Sequence, residues 1–214
     1  LGESGAPPGT FALVRGMDAG RWLVSDARTA AVAFTGSAAS GRALFDLAVS
    51  RPEPIPFYGE LGSVNPVFVT PRGAERGEAL VTAYLDSLTL SNGQLCTKPG
   101  LLVVPRAAGL LCLIAGAVAQ RSVGVFLTAE VASRYEARLG ELRAIHGATM
   151  LAAPGVVGSA GDRVHPAIVQ LSAADALVEI DAVQSECFGP AGVIIEYDDD
   201  RQATALADRL HGCL

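Results

Sequence analysis

Over residues 1–70 short apolar runs alternate with segments of helical period. Thr10-Phe-Ala-Leu-Val14 reads as a strand, Ala19 to Ser25 as a helix and Ala30-Ala-Val-Ala-Phe34 as a second strand. A second helix opens at Ser37, whose hydroxyl suits an N-cap, and carries Ala43, Leu44, Leu47 and Ala48 on one face. Arg51-Pro-Glu-Pro54 ends it, and the apolar stretch Ile55-Pro-Phe-Tyr58 leads into a strand that closes at Glu60. This βαβα order predicts parallel strands, because such strands need crossover connections.

After Asn65-Pro-Val-Phe-Val69 the turn residues Pro71 and Gly73 mark a boundary, giving an expected division into residues 1–70 and 71–214. The second part predicts an amphipathic helix from Glu75 to Leu90, a strand at Leu101–Val104 and a buried apolar helix between Ala107 and Gln120. A charged helix from Thr128 to Ile145 follows, with Arg134, Glu136, Arg138, Glu141 and Arg143 on a solvated face. Strands are expected near Thr149, at Ala167–Leu171 and at Ala191–Tyr197. Asp198-Asp-Asp200 suits the N-terminus of a closing helix, Gln202 to Leu210, better than a metal site. The expected class is α/β, with helices flanking parallel sheet.

Composition narrows the function classes. Of 214 residues, 50% are hydrophobic, enough for a substantial core, and the net charge of −6 with scattered cations provides no basic stripe for nucleic acid. The most apolar segment is too short to cross a bilayer, and Leu1 opens no charged leader, so a cytoplasmic protein acting on small molecules is expected. The four cysteines (Cys96, Cys112, Cys187, Cys213) show neither disulfide nor zinc spacing, and His146, His165 and His211 stand apart; no metal is expected.

Four short motifs carry candidate chemistry. Gly93-Gln-Leu-Cys-Thr-Lys98 presents Cys96 in a loop that a glycine makes tight, as a nucleophilic thiol or else a small buried hydrophobe. Phe57-Tyr-Gly-Glu60 places Glu60 at a strand end. Partial burial there would fit it for taking a proton from water; a solvated strand-end carboxylate is the alternative. Phe34-Thr-Gly-Ser37 joins a strand to a helix N-terminus, an anion site suited to a pyrophosphate, though G-x-G-x-x-G is absent. In Glu186-Cys-Phe-Gly-Pro190, Glu186 suits ribose hydroxyls and Phe188 a nicotinamide face; the pair could equally form a turn with a packed aromatic.

In order and spacing these motifs resemble the aldehyde dehydrogenase superfamily. Arg51-Pro-Glu-Pro-Ile-Pro56, Glu60-Leu-Gly-Ser-Val-Asn-Pro66 and Cys96-Thr-Lys-Pro-Gly100 are similar to its 2-oxoglutarate-semialdehyde dehydrogenase branch. The resemblance implies the latter part of an NAD(P)-binding domain in residues 1–70 and an incomplete catalytic domain in 71–214. It further implies Cys96 as nucleophile and Glu60 as base. Phe34, Thr35, Gly36, Ser37, Leu61, Gly62, Glu186 and Phe188 would contact NAD or NADP. It implies oxidation of an aldehyde to a carboxylic acid through a thiohemiacetal and a thioester, in a protein that oligomerises at full length. Because family members are about twice as long, a fragment lacking the N-terminal part and the C-terminal end is expected. Two other readings stay open: a catalytically incompetent structural domain, and a cofactor-independent cysteine esterase.

Overall fold

The computed structural model describes residues 3–121, 124–153, 156–157 and 163–212. They form two compact units, and the chain passes from one to the other between Gly62 and Ser63. The boundary expected near residue 70 falls later than this. Asn65 to Val69 belong to the larger unit because Pro66–Phe68 pairs there with Leu101–Val103.

The smaller unit contains α1 (Met17–Ser25), β1 (Val32–Gly36), α2 (Ala38–Val49) and β2 (Phe57–Leu61). β1 and β2 are parallel, with Thr35 opposite Glu60 and Gly36 opposite Leu61. Ser37 caps α2 by accepting from the Ser40 N–H at 3.3 Å, as its sequence suggests. Arg51, just beyond α2, donates to the Thr29 carbonyl at 2.9 Å and the Val24 carbonyl at 3.2 Å, fixing the turn after α1. The strand expected at Thr10–Val14 is not formed. Phe11, Leu13 and Val14 are exposed, and an apolar run without a ladder partner gains too little to order as a strand.

The larger unit begins with β3 (Pro66–Phe68), the short α3 (Pro71–Ala74), α4 (Glu78–Thr89), β4 (Leu101–Pro105) and α5 (Leu110–Val118). β5 (Gly124–Val125), α6 (Ala129–Ala144), β6 (Thr149–Ala152), β7 (Val156–Val157), β8 (Arg163–Val164) and β9 (Ala167–Ser172) follow. α7 (Ala173–Val178), α8 (Ile180–Val183), β10 (Ala191–Tyr197) and α9 (Asp200–Arg209) complete it. The main sheet runs β3-β4-β10-β9-β6, parallel except for β6, while β5-β8-β7 form a small antiparallel sheet.

Both faces of the main sheet are covered, so its central strands read as unbroken apolar runs. Leu101, Val103, Val169, Leu171, Val193 and Ile195 pack with Tyr135, Leu139 and Leu142 of α6 and Leu206 of α9. Leu102, Val104, Ile168 and Ile194 point the other way, into Val81, Leu85 and Leu88 of α4 and Ile114 of α5. The helix expected from Glu75 starts at Glu78 instead, because Gly77 at φ +47° separates it from α3. Short α7 and α8 are too brief to show a helical period in the sequence; Ser172 launches α7 by accepting from the Asp175 N–H at 3.1 Å, and α8 follows it after Glu179.

The charged face of α6 is only partly solvated. Arg134 and Glu130 form an exposed pair, but the Arg138 side chain is 12% exposed and donates to the carbonyls of Ala182 and Ser185. At the end of β10 the aspartates serve the helix start. Asp198 accepts from Arg106 at 2.8 Å, and Asp199 caps α9 by accepting from the Gln202 N–H at 3.0 Å. His146, His165 and His211 are all exposed. Among the described residues no helix is long and apolar enough to cross a membrane.

Candidate active site

In the smaller unit, parallel pairing brings two of the motifs together. Phe34, Thr35 and Gly36 end β1 beside Gly59, Glu60 and Leu61 of β2, and the Gly62 N–H donates to the Gly36 carbonyl at 3.2 Å. Ser37, Ala38 and Ala39 open α2 at the same strand ends and are exposed. The carboxyl ends of parallel strands next to a helix N-terminus form the usual ligand crevice of open α/β sheets. The first N–H groups of a helix lack intrahelical acceptors, so this end suits a pyrophosphate. α2 lies close over Leu61: a Cβ on the buried Gly41 would stand 2.0 Å from Leu61 Cδ2, so the helix fixes that side chain. Glu60 is exposed, and the partial burial expected of it is absent.

In the larger unit Cys96 sits in a tight turn, Leu95 to Lys98, closed by the Lys98 N–H donating to the Leu95 carbonyl at 3.2 Å. The residue is exposed, yet its backbone is held firmly. Asn65 donates from Nδ2 to the carbonyls of Cys96 at 2.6 Å and Lys98 at 3.0 Å, and the Ser63 hydroxyl also donates to the Cys96 carbonyl. Asn65 adopts φ +44°, a region that asparagine tolerates better than most residues. The loop before the turn is anchored by Gln94, which accepts from the Leu127 N–H at 2.8 Å and donates to the Val125 carbonyl at 3.0 Å.

The segment carrying Glu186 and Phe188 runs against this turn. The Gly189 N–H donates to the Gly93 carbonyl at 3.2 Å, and the buried Lys98 donates from Nζ to the carbonyls of Cys187 at 2.7 Å and Ala191 at 2.8 Å. Glu186 and Phe188 are half-buried. Burial raises the Glu186 carboxyl above its ordinary range, against the Lys98 charge and the Ser63 N–H, which favour the anion. A small cavity between the turn and this segment is lined by Ser63, Val64, Lys98, Ser185, Cys187 and Ala191, among others.

Burial pushes the Cys187 thiol up to about 11, above its ordinary 9.0. The folded chain therefore favours the protonated form. That contribution is complete below about pH 9 and is lost as pH rises toward 11. Denaturant titrations of wild type and Cys187→Ala across this window should show the wild type losing about 2 kcal/mol more than the variant. Parallel curves would contradict the burial.

Cys96, Glu186 and Phe188 thus share one neighbourhood, while Phe34 to Ser37 and Glu60 to Gly62 share another at the ends of β1 and β2. Cys213 lies outside the described residues. The sequence reading passed over three residues that shape the site, Ser63, Asn65 and Lys98. An asparagine before proline and a lysine two places after the candidate nucleophile were the available signals.

The model of the aldehyde dehydrogenase family matches residues 1–214. Alpha-ketoglutaric semialdehyde dehydrogenase 2 of Azospirillum brasilense is 36% identical over 220 residues, covering 100% of this chain and 42% of the relative. Alpha-ketoglutaric semialdehyde dehydrogenase of Acinetobacter baylyi is 33% identical over 219 residues, covering 99% and 41%. The chain therefore spans less than half the length of these curated relatives. An NAD-dependent benzaldehyde dehydrogenase from Corynebacterium glutamicum superposes with a TM-score of 0.79 at 23% identity, covering 97% of this chain and 45% of that one. The proline utilization A protein of Bradyrhizobium japonicum does so at 0.80 and 24%, which extends the likeness of fold. The chain belongs to the aldehyde dehydrogenase family.

Proposed function

We propose that the chain carries cysteine and cofactor-binding groups of an NAD(P)-dependent aldehyde dehydrogenase acting on a semialdehyde, with 2-oxoglutarate semialdehyde as the first candidate. The observation that carries this reading is the Cys96 turn: an exposed thiol on a backbone whose carbonyl is clasped by Ser63 and Asn65. The names of the two curated relatives support the substrate class.

In this reading residues 1–62 contribute the latter part of the dinucleotide-binding domain and residues 63–214 belong to the catalytic domain. Ser37 and the first N–H groups of α2 hold the pyrophosphate, Phe34, Thr35 and Gly36 shape that strand end, and Leu61 and Gly62 line the nicotinamide end. Glu186 accepts from the ribose hydroxyls and Phe188 offers its ring. NAD(P), when bound, supplies the hydride acceptor. The Cys96 thiolate adds to the aldehyde carbon to give a thiohemiacetal, which becomes a thioester on oxidation. Glu60 takes a proton from water, the resulting hydroxide adds to the thioester carbon, and the carboxylic acid leaves with return of the Cys96 thiolate. The aldehyde is the small-molecule partner, and a cytoplasmic, oligomeric full-length protein fits the same reading.

The test is NAD(P)H formation with this chain and a panel of aldehydes including 2-oxoglutarate semialdehyde, with Cys96→Ser beside it. Turnover should fall at least about a thousandfold in the variant, as expected for loss of a nucleophile. Thiol mapping provides the companion readout. Iodoacetamide should label Cys96 faster than Cys112, which is also exposed, and much faster than buried Cys187. Equal labelling of Cys96 and Cys112, with no binding of NAD(P), would instead identify a non-catalytic domain.

A further inference from the structure

The chain contains 15 arginines and a single lysine, Lys98, and that lysine is 4% exposed. A lone lysine in an arginine-rich chain would be expected on the surface, since burying an ammonium costs several kcal/mol unless partners offset it. Here the partners are specific. Nζ donates to the carbonyls of Cys187 and Ala191, two residues on either side of the Gly189 turn, and its charge interacts with Glu186. The Lys98 backbone belongs to the Cys96 turn: its N–H closes that turn and its carbonyl accepts from Asn65. One residue therefore holds the nucleophile's turn through its main chain and the Glu186 segment through its side chain. A guanidinium is larger and planar, so at this buried position it would have to displace the neighbours of Nζ to reach the same two carbonyls.

We propose that Lys98 is a positioning residue whose buried ammonium joins the turn carrying Cys96 to the Glu186–Phe188 segment. The inference rests on the roles given above to Cys96 and Glu186. Glu186 and Cys187 are the titratable groups that face Lys98. Arg138 and Glu141 of α6 face Cys187 from the other side, and the Ser63 N–H faces Glu186. Burial lowers the Lys98 ammonium from its ordinary value of 10.5, and Cys187 and then the Glu186 carboxylate oppose that shift. Each group thus supports the charged form of the other.

The single lysine makes the test direct. The full chain labelled with nitrogen-15 only in lysine gives one side-chain signal, whose titration is followed by NMR in wild type and in Glu186→Gln. The midpoint should lie below 10.5 and fall further in Glu186→Gln. In Lys98→Met, carbon-13 signals should show the Glu186 carboxyl midpoint rising, with Lys98→Arg restoring the charge but not the Cys96 labelling rate. In wild type that rate should show a second inflection matching the lysine midpoint. A lysine midpoint at or above 10.5 would place the ammonium in solvent and overturns the proposal, and this measurement stands even if Lys98→Met does not fold. A linked pair without the second inflection overturns the positioning role. An unreactive Cys96 together with absent turnover in wild type overturns the functional reading instead, while the lysine titration still reports on the pair.

Discussion

Gly93→Ala is expected to destabilise the larger unit by about 2–5 kcal/mol, the sum of a left-handed backbone penalty and overpacking. Gly93 adopts φ +67°, and a Cβ there would lie 2.3 Å from the Gly189 carbonyl oxygen, 2.4 Å from its carbon and 2.6 Å from the Pro190 nitrogen. All three are backbone atoms, so no side chain can swing aside. The opposing turn has no room to retreat either, since Gly189 packs on Tyr135, where a Cβ of its own would stand 2.4 Å from the ring. Urea unfolding measures the loss, with Gly116→Ala as control. Gly116 lies in α5 with nothing within 4 Å of an added Cβ, and that change should stabilise the chain by about 0.5–1 kcal/mol. A Gly93→Ala midpoint equal to wild type would show that the two turns do not meet. The stability loss should be accompanied by slower Cys96 alkylation, because the turn bearing the thiol follows Gly93.

Ile194→Ala should cost about 2–5 kcal/mol, the range for deleting most of a buried aliphatic side chain and leaving part of the space empty. Ile194 is fully buried on β10, the strand flanked by β4 and β9, and packs toward α4 and α5. Its neighbours Val193 and Ile195 face the opposite core, so both layers lean on this one strand. Chemical denaturation of the variant beside Val178→Ala, a change at a residue 79% exposed, separates burial from hydrophobicity as such. The exposed substitution should stay within about 0.5 kcal/mol of wild type. Comparable losses at both positions would contradict the placement of β10.

The sequence reveals those elements whose signal is local. Ser37 and Asp199 stand where caps belong, and both cap; Leu101–Val104 and Ala191–Tyr197 read as strands and form them. The motif of Cys96 also announces its glycine-tightened loop. What stays hidden depends on partners distant in the chain. Thr10–Val14 has the composition of a strand, yet a strand exists only if another pairs with it. Glu60 ends its strand as read, but its exposure is a property of packing. Arg138 looks like one more surface charge on α6 until α8, itself too short to carry a period, brings carbonyls within its reach. Lys98 is the extreme case, since its acceptors on Cys187 and Ala191 lie 89 and 93 residues away.

The order β3-β4-β10-β9-β6 also has a temporal side. β4 leaves the ribosome long before β10, the strand that pairs with its inner edge; Arg106 and Asp198, which join the ends of these two strands, are 92 residues apart. At about 5–20 residues per second the wait is roughly 5–20 s, far longer than local collapse requires. Throughout that interval Leu101–Val104, one of the most apolar strands, can pair with β3 and rest on α4 while its other edge stays open to strands of neighbouring nascent chains. The order of the sheet thus makes translation the stage at which this chain is most exposed to misassembly.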